Sequence, residues 1–392
     1  MSLPDVQSTA PDVRISLTRV GVKNVKKLVE VARPGKSRPG IFISEFDVFV
    51  DLPSSLKGAN LSRNFEVIDE VLQQATNGEV KGIEDICGVV AKKLLDHHEY
   101  AEQTEVFMHS CYMMNRETPV SKTTCQEVVN VYAHAIAQRN NTDPIVRKSI
   151  GAEVTGITAC PCAQNIMKDH AMHVMEQLEI PKEKIDAFFQ EIPMASHNQR
   201  GRGFLSIETD GETIVPLDKV INVLKDSMSA RIYELLKRGD ESYVVMAAHK
   251  NARFVEDCVR EMARQVVANF ADLPGETRVT LRQTNEESIH QHDAYAERDA
   301  TLAELRSELN AYFNLFKKLL FFYFTDFNQA HFDFGFNLRY FSISYDAMFN
   351  RMCLSNTNYI IRVIVTLLTL HLRVVFQKGM RIFNIAQLRD NT

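Results

Sequence analysis

The chain predicts an α+β fold of antiparallel sheets in two related halves, and three features carry that expectation. Strand-like runs recur along the sequence, pairs of helix-spaced apolar segments fall between them, and this order comes round twice before residue 310. The repeat lies in the order of elements, with no residue-level self-similarity. Of the 392 residues 45% are hydrophobic and 24% charged, enough for one large or two medium packed domains.

In chain order, residues 41–52 partly alternate like a half-buried strand, and 53–60 follow as a turn-rich loop. Residues 64–74 and 83–97 carry apolar side chains at helical spacing, and 104–113 return to a strand. The second round opens with a strand at 152–158. Helices at 164–178 and 182–190 lead to a strand at 203–208, and helices at 217–237 and 254–269 lead to a strand at 278–283. The halves are thus about 15–150 and 151–310.

From 311 to 392 the composition changes. This tail holds 13 of the 23 Phe, no Glu, no Pro, and nine Lys or Arg against four Asp, so it is near +5 while the first 310 residues are near −10. Its apolar run at 360–372 is interrupted by Arg362 and His371 and is shorter than the ~20 residues of a membrane span. The tail reads as an atypical extension of unknown role, either an anchor or partner-binding segment or an appended sequence, and catalysis is not expected to depend on it.

A net charge of −5 gives no global reason to expect nucleic acid or an anionic membrane as partner. Residues 1–14 lack the basic start and apolar core of a signal peptide. Seven cysteines without a disulfide-scaffold spacing fit reduced thiols in the cytoplasm.

Three polar constellations could carry chemistry. Cys160-Pro161-Cys162 follows a strand and opens a helix, where a thiolate suits either a metal ligand or a nucleophile; a packed, inert thiol pair is the plainer alternative. Ser196-His197-Asn198-Gln199-Arg200-Gly201-Arg202-Gly203, read as a loop, sets guanidiniums suited to phosphate beside a possible metal ligand, or else sits in solvent. Glu286-Glu287-Ser288-Ile289-His290-Gln291-His292-Asp293 follows the last strand. On an extended segment its two imidazoles would point to one side, as ligands for Zn or Fe or as a surface pair. Two carboxylates join them: Glu241, and Glu256, whose apolar neighbours Phe254, Val255 and Val259 predict partial burial.

Taken in this order, these segments resemble the GTP cyclohydrolases of type IB and their archaeal Fe(II)-dependent relatives. The matching stretches are K-G-A-N-L-S-R (57–63), T-A-C-P-C-A-Q (158–164), S-H-N-Q-R-G (196–201), Y-V-V-M-A-A-H-K-N-A-R-F-V-E-D (243–257) and N-E-E-S-I-H-Q-H-D-A-Y-A (285–296). The gap of about 35 residues between the second and third is similar to the archaeal form. The first departs from the family pattern, which has His where this chain has Asn60.

The resemblance implies a tunnel fold that closes into an oligomeric barrel, with a dimer, tetramer or larger homo-oligomer placing sites between subunits. It implies a metal, Fe(II) first and Zn or Mn as alternatives, held by Cys160, His197, Glu241 and His290, with Cys162 as substitute ligand or catalytic thiol. Metal-bound water, with its pKa lowered to about 7, would attack the guanine carbon between two nitrogens and release formate, with His292 moving protons. Glu256 would hold the guanine edge, and Arg200, Arg202, Lys57 and Arg63 the triphosphate. The implied product is 7,8-dihydroneopterin 2',3'-cyclic phosphate. Dihydroneopterin triphosphate, a non-catalytic pterin-binding metal protein, and the metal-free nitrile reductase of queuosine synthesis are the alternatives.

Overall fold

The computed structural model describes residues 6–31, 40–76, 82–210 and 213–311. All belong to one compact unit, Met1–Tyr312. Apart from Ala311, the expected C-terminal extension lies outside the described residues.

The first half runs β1 (Leu17–Val31), β2 (Gly40–Leu52), α1 (Ser62–Thr76), α2 (Ile83–His97), β3 (Gln103–Glu117) and β4 (Thr124–Gln138). The second runs β5 (Ile145–Ala159), α3 (Pro161–Gln177), α4 (Lys182–Glu191), β6 (Asn198–Asp210), α5 (Leu217–Ser227), β7 (Ala230–Arg231), α6 (Arg238–Lys250), α7 (Val255–Asn269), β8 (Arg278–Asn285) and β9 (Ala294–Thr301). Setting aside the α3–α4 pair and the β7–α6 segment, each half is strand, strand, helix, helix, strand, strand. The halves meet between β4 and β5, at residues 139–144. This antiparallel α+β architecture is the one expected.

The long strands form one antiparallel sheet in the order β1-β2-β3-β4-β5-β6-β8-β9, and β7 adds a short pairing to β5. Side chains alternate between its faces. On β2, Phe42, Ser44, Phe46, Val48, Val50 and Leu52 are buried while Ile41 and Ile43 are exposed. The buried face is covered by helices. On α2 the residues Ile83, Ile86, Cys87, Val90, Ala91, Leu94 and Leu95 are all buried at helical spacing, and this stripe crosses β3, β4 and β5. Helices α5 and α7 cover β5, β6, β8 and β9 in the same way, so one core runs through both halves. Over its middle the other face carries no helix among those described; at the end of β5, α6 packs on it against Ile157 through Val244 and Ala248.

Several elements depart from expectation. The expected helix at 217–237 ends at Ser227, where the Arg253 guanidinium donates to the carbonyls of Asp226 and Ser227. The chain then pairs Ala230 with Ile157 and re-enters a separate helix, α6. Strands β1, β4 and β9 were not expected. At Gly21 in β1 a Cβ would sit 1.8 Å from the Val48 carbonyl oxygen, so close approach of the edge strand requires glycine there.

Candidate active site

The ends of β5, β6 and β8 gather most of the polar residues singled out by the sequence. Strand β5 stops at Ala159, Cys160 takes extended backbone angles as the N-cap of α3, and Pro161 fills the first helical position. The Cys160 sulfur accepts from the Ala163 N–H at 3.5 Å, and the Cys160 N–H donates to the His197 carbonyl at 3.1 Å. Cysteine and histidine, 37 residues apart by their numbers, are therefore held side by side. Cys160 is half-buried and Cys162 is exposed.

The H-N-Q-R run is not the loop expected: it enters β6, and strand alternation divides it. Gln199, Gly201, Gly203 and Leu205 are buried on the helix-covered side, whereas Asn198, Arg200 and Arg202 are exposed on the other. The guanidiniums thus do not flank His197 on its own side of the strand. Arg202 is drawn to Glu286 at 3.1 Å, and the Arg200 carbonyl accepts from the Glu286 N–H at 2.9 Å.

His197 itself is tightly oriented. Its Nδ1 lies 3.1 Å from Gln199 Oε1, the Gln199 amide donates to Glu287 Oε1 at 3.2 Å, and the second Glu287 oxygen is 3.8 Å from Nδ1. Both neighbours offer oxygen acceptors, so Nδ1 carries the proton and Nε2 presents its lone pair. The side chains of His197 and Glu287 are 15% and 13% exposed, which keeps this chain largely out of water. Beneath it lies a deck of buried polar groups. Gln283 donates to Asn285 at 3.0 Å, and among the described residues the buried Thr158 hydroxyl and Gln283 Oε1 have no hydrogen-bond partner.

The remaining candidates stand apart. Glu241 is exposed in the first turn of α6. Its neighbour Asp240 is buried and accepts from the Val120, Ser121 and Lys237 N–H groups and the Ser121 hydroxyl. Burial works against the Asp240 charge, but these donors outweigh it and hold the carboxyl well below the usual carboxylate range. Glu256, expected to be partly buried, is exposed, because only Val255 and Val259 of its neighbours turn inward and Phe254 does not. His290 and His292 lie in the bent β8–β9 connection rather than on an extended segment. Their rings stack at 5.1 Å, and both are exposed. Lys57 is exposed, with its N–H donating to the Gln7 and Thr9 carbonyls, and Arg63 donates to the His97 carbonyl at 2.5 Å.

Among the described residues no group of three His, Cys, Asp or Glu side chains converges to hold a metal within one chain. Cys160 and His197 nevertheless fit two positions of such a centre, as a half-buried sulfur and an imidazole with a preset tautomer. The sequence reading assigned no role to Gln199, Glu287, Gln164 or His249. Gln164 donates to the carbonyls of Met194 and His249, and His249 bridges the Val245 and Ser196 carbonyls, so together they fix the approach to His197. The His197-x-Gln199 spacing at a strand entry was the legible signal for Gln199; the others have none.

The family model described as type I GTP cyclohydrolase folE2 matches residues 3–296. A curated relative, GTP cyclohydrolase MptA of Methanocorpusculum labreanum, is 85% identical over 310 residues, covering 79% of this chain and 100% of its own length. The MptA of Methanoculleus marisnigri is 74% identical over 310 residues, covering 79% and 99%. Among solved structures, a uricase from Bacillus fastidious aligns with a TM-score of 0.40 at 10% identity, over 74% of this chain and 96% of its own.

Proposed function

The chain belongs to the type I GTP cyclohydrolase folE2 family, and from that premise we propose that it opens the imidazole ring of GTP, releases formate and yields 7,8-dihydroneopterin 2',3'-cyclic phosphate. The observation that carries the reading is the adjacency of Cys160 and an oriented His197 at the shared end of β5 and β6.

The metal, Fe(II) in first place, would be held by Cys160, His197, Glu241 and His290, and when bound it supplies an activated water near neutral pH. The protein's own groups do the rest. His197 offers Nε2 because Gln199 and Glu287 keep the proton on Nδ1. His292, stacked on His290, would move protons. Glu256 accepts from the guanine edge, its exposure leaving it open to substrate. Arg200 has no side-chain partner among the described residues and takes the triphosphate first; Arg202, Lys57 and Arg63 assist.

Among the described residues no three of these ligands converge within one chain, which supports a homo-oligomer whose subunits complete one another's sites. Strands β1 and β9 each have one sheet neighbour and leave edges for such closure. No helix among the described residues is long and apolar enough to cross a membrane, in keeping with a cytoplasmic enzyme.

The test is anaerobic incubation of the protein with GTP and Fe(II), Zn or Mn in turn, with formate and product mass measured. A product of triphosphate mass would replace the cyclic phosphate; metal binding without formate would leave a pterin-binding protein. Deleting 311–392 should leave turnover unchanged, and loss of formate release would place the extension in the working enzyme.

A further inference from the structure

The uncovered middle of the sheet's second face contains a hollow of about 460 Å³. Strand register explains it. One row of paired positions crosses this face as Glu45, His109, Tyr132, Gly151, Ser206 and Thr280, from β2 to β8. The row changes from large to small side chains at Gly151, and Ser149 continues the gap on β5. A side chain at Gly151 is disfavoured, since its Cβ would meet the Leu205 carbonyl oxygen at 2.9 Å.

The walls are aromatic. His109 stacks on Tyr132 at 4.9 Å and 21°, and Phe204 meets Tyr132 edge-on at 5.7 Å. At the β2 end stands Glu45, half-buried, whose carboxylate has no hydrogen bond or ion pair among the described residues. Its companion Asp47 is satisfied by the Asn24 N–H and by Lys23. From β2 to β5 the sheet spans about 14 Å, room for a bicyclic ring lying flat. A free carboxylate beside aromatic faces, with hydroxyls opposite, fits a flat ring that offers two adjacent N–H donors at one edge and acceptors at the other.

We propose that this hollow is a second, non-catalytic binding site for the 2-amino-4-oxopyrimidine ring system common to guanine and pterins, with Glu45 accepting from the amino edge. Adenine offers an alternating donor and acceptor at the corresponding edge and is excluded. The hollow is separate from the Cys160–His197 centre: Phe204 and His197 are seven residues apart along β6, roughly 20 Å, while Arg202, two residues from Phe204 on the same face, stands at its border. The choice of ligand rests on the GTP reading above.

The test is equilibrium dialysis of the full-length protein with neopterin, with guanosine and with adenosine, comparing the unmodified chain with Glu45→Gln and with Ser206→Phe, which fills the hollow. The expected result is two molecules of neopterin or guanosine per chain, falling to one in both variants, with no second site for adenosine. Loss of neopterin alone assigns the site to product, and loss of guanosine alone to substrate. Unchanged stoichiometry in both variants, or equal binding of adenosine, overturns the proposal. Formate release is measured on the same preparation, so failure of the GTP reading is seen separately from failure of the hollow.

Discussion

The two halves share one order of strands and helices but place their polar side chains differently. The first half buries titratable groups inside its core: Glu84 is 2% exposed and His98 0%. The second half buries titratable groups too, Asp240 at 0% and Lys225 at 5% exposed, but it adds the α3–α4 and β7–α6 segments and gathers a cluster of polar groups at the strand ends. Helix α3 has no buried residue at all; it contributes little to the core, and its N-terminus holds Cys160. The comparison separates a half built for packing from one whose additions frame a site.

The largest effect should come from breaking that site. Cys160→Ala or His197→Ala should remove bound metal and bring formate release to background while circular dichroism stays unchanged, because neither side chain fills the core. Retained metal in both variants would sink the ligand assignment.

Gln199→Ala should do less. It frees His197 to rotate and to change tautomer without deleting a ligand, and loss of such an orienting partner typically weakens metal affinity about 10- to 100-fold. A metal titration with a chelator competitor reads this directly. Affinity equal to that of the unmodified protein would mean that Glu287 alone orients the ring.

Legibility follows the same division. Helix α2 was read to the residue because its apolar stripe is wholly buried. Strand β1 was missed because it is an edge strand with four basic residues, a left-handed Asn24 and register shifts against β2. In β4 the inward positions are largely Ala133, Ala135 and Ala137, which carry little strand signal. The helix expected at 217–237 ran on because 217–237 contains neither Pro nor Gly, the next Gly being Gly239; the helix stops at Ser227, where Arg253, far along the chain, takes its last carbonyls. For the site, residue types were legible in the motifs, but the face each one occupies was not. The split of His197 and Gln199 from Arg200 and Arg202 depends on where β6 begins.

The smallest effect concerns the first half and should leave the site untouched. Both Glu84 oxygens are buried, and neither makes a well-formed hydrogen bond among the described residues; burial, aided by the Asp85 charge, outweighs the nearby Glu84 and Val215 N–H groups and the Lys148 charge and pushes the carboxyl up to about 7. The folded protein therefore favours the protonated form: Glu84 costs nothing below its ordinary pKa near 4.5, and its penalty grows as pH rises to about 7. His98 acts oppositely. Its Nε2 meets Asn64 and its Nδ1 meets Tyr100, and burial, with the Arg63 charge, pushes it down to about 4. Keeping it neutral stabilises the fold above pH 6.5, and that contribution is lost as pH falls from about 6.5 to about 4. Glu84→Gln should then raise unfolding free energy by about 2 kcal/mol at pH 8 and change it little at pH 4.5, leaving formate release and metal content as they were. Urea unfolding at the two pH values measures the difference. No gain at pH 8 would show that the Glu84 charge is compensated in the folded protein, and a change in metal content would show that the two halves are coupled.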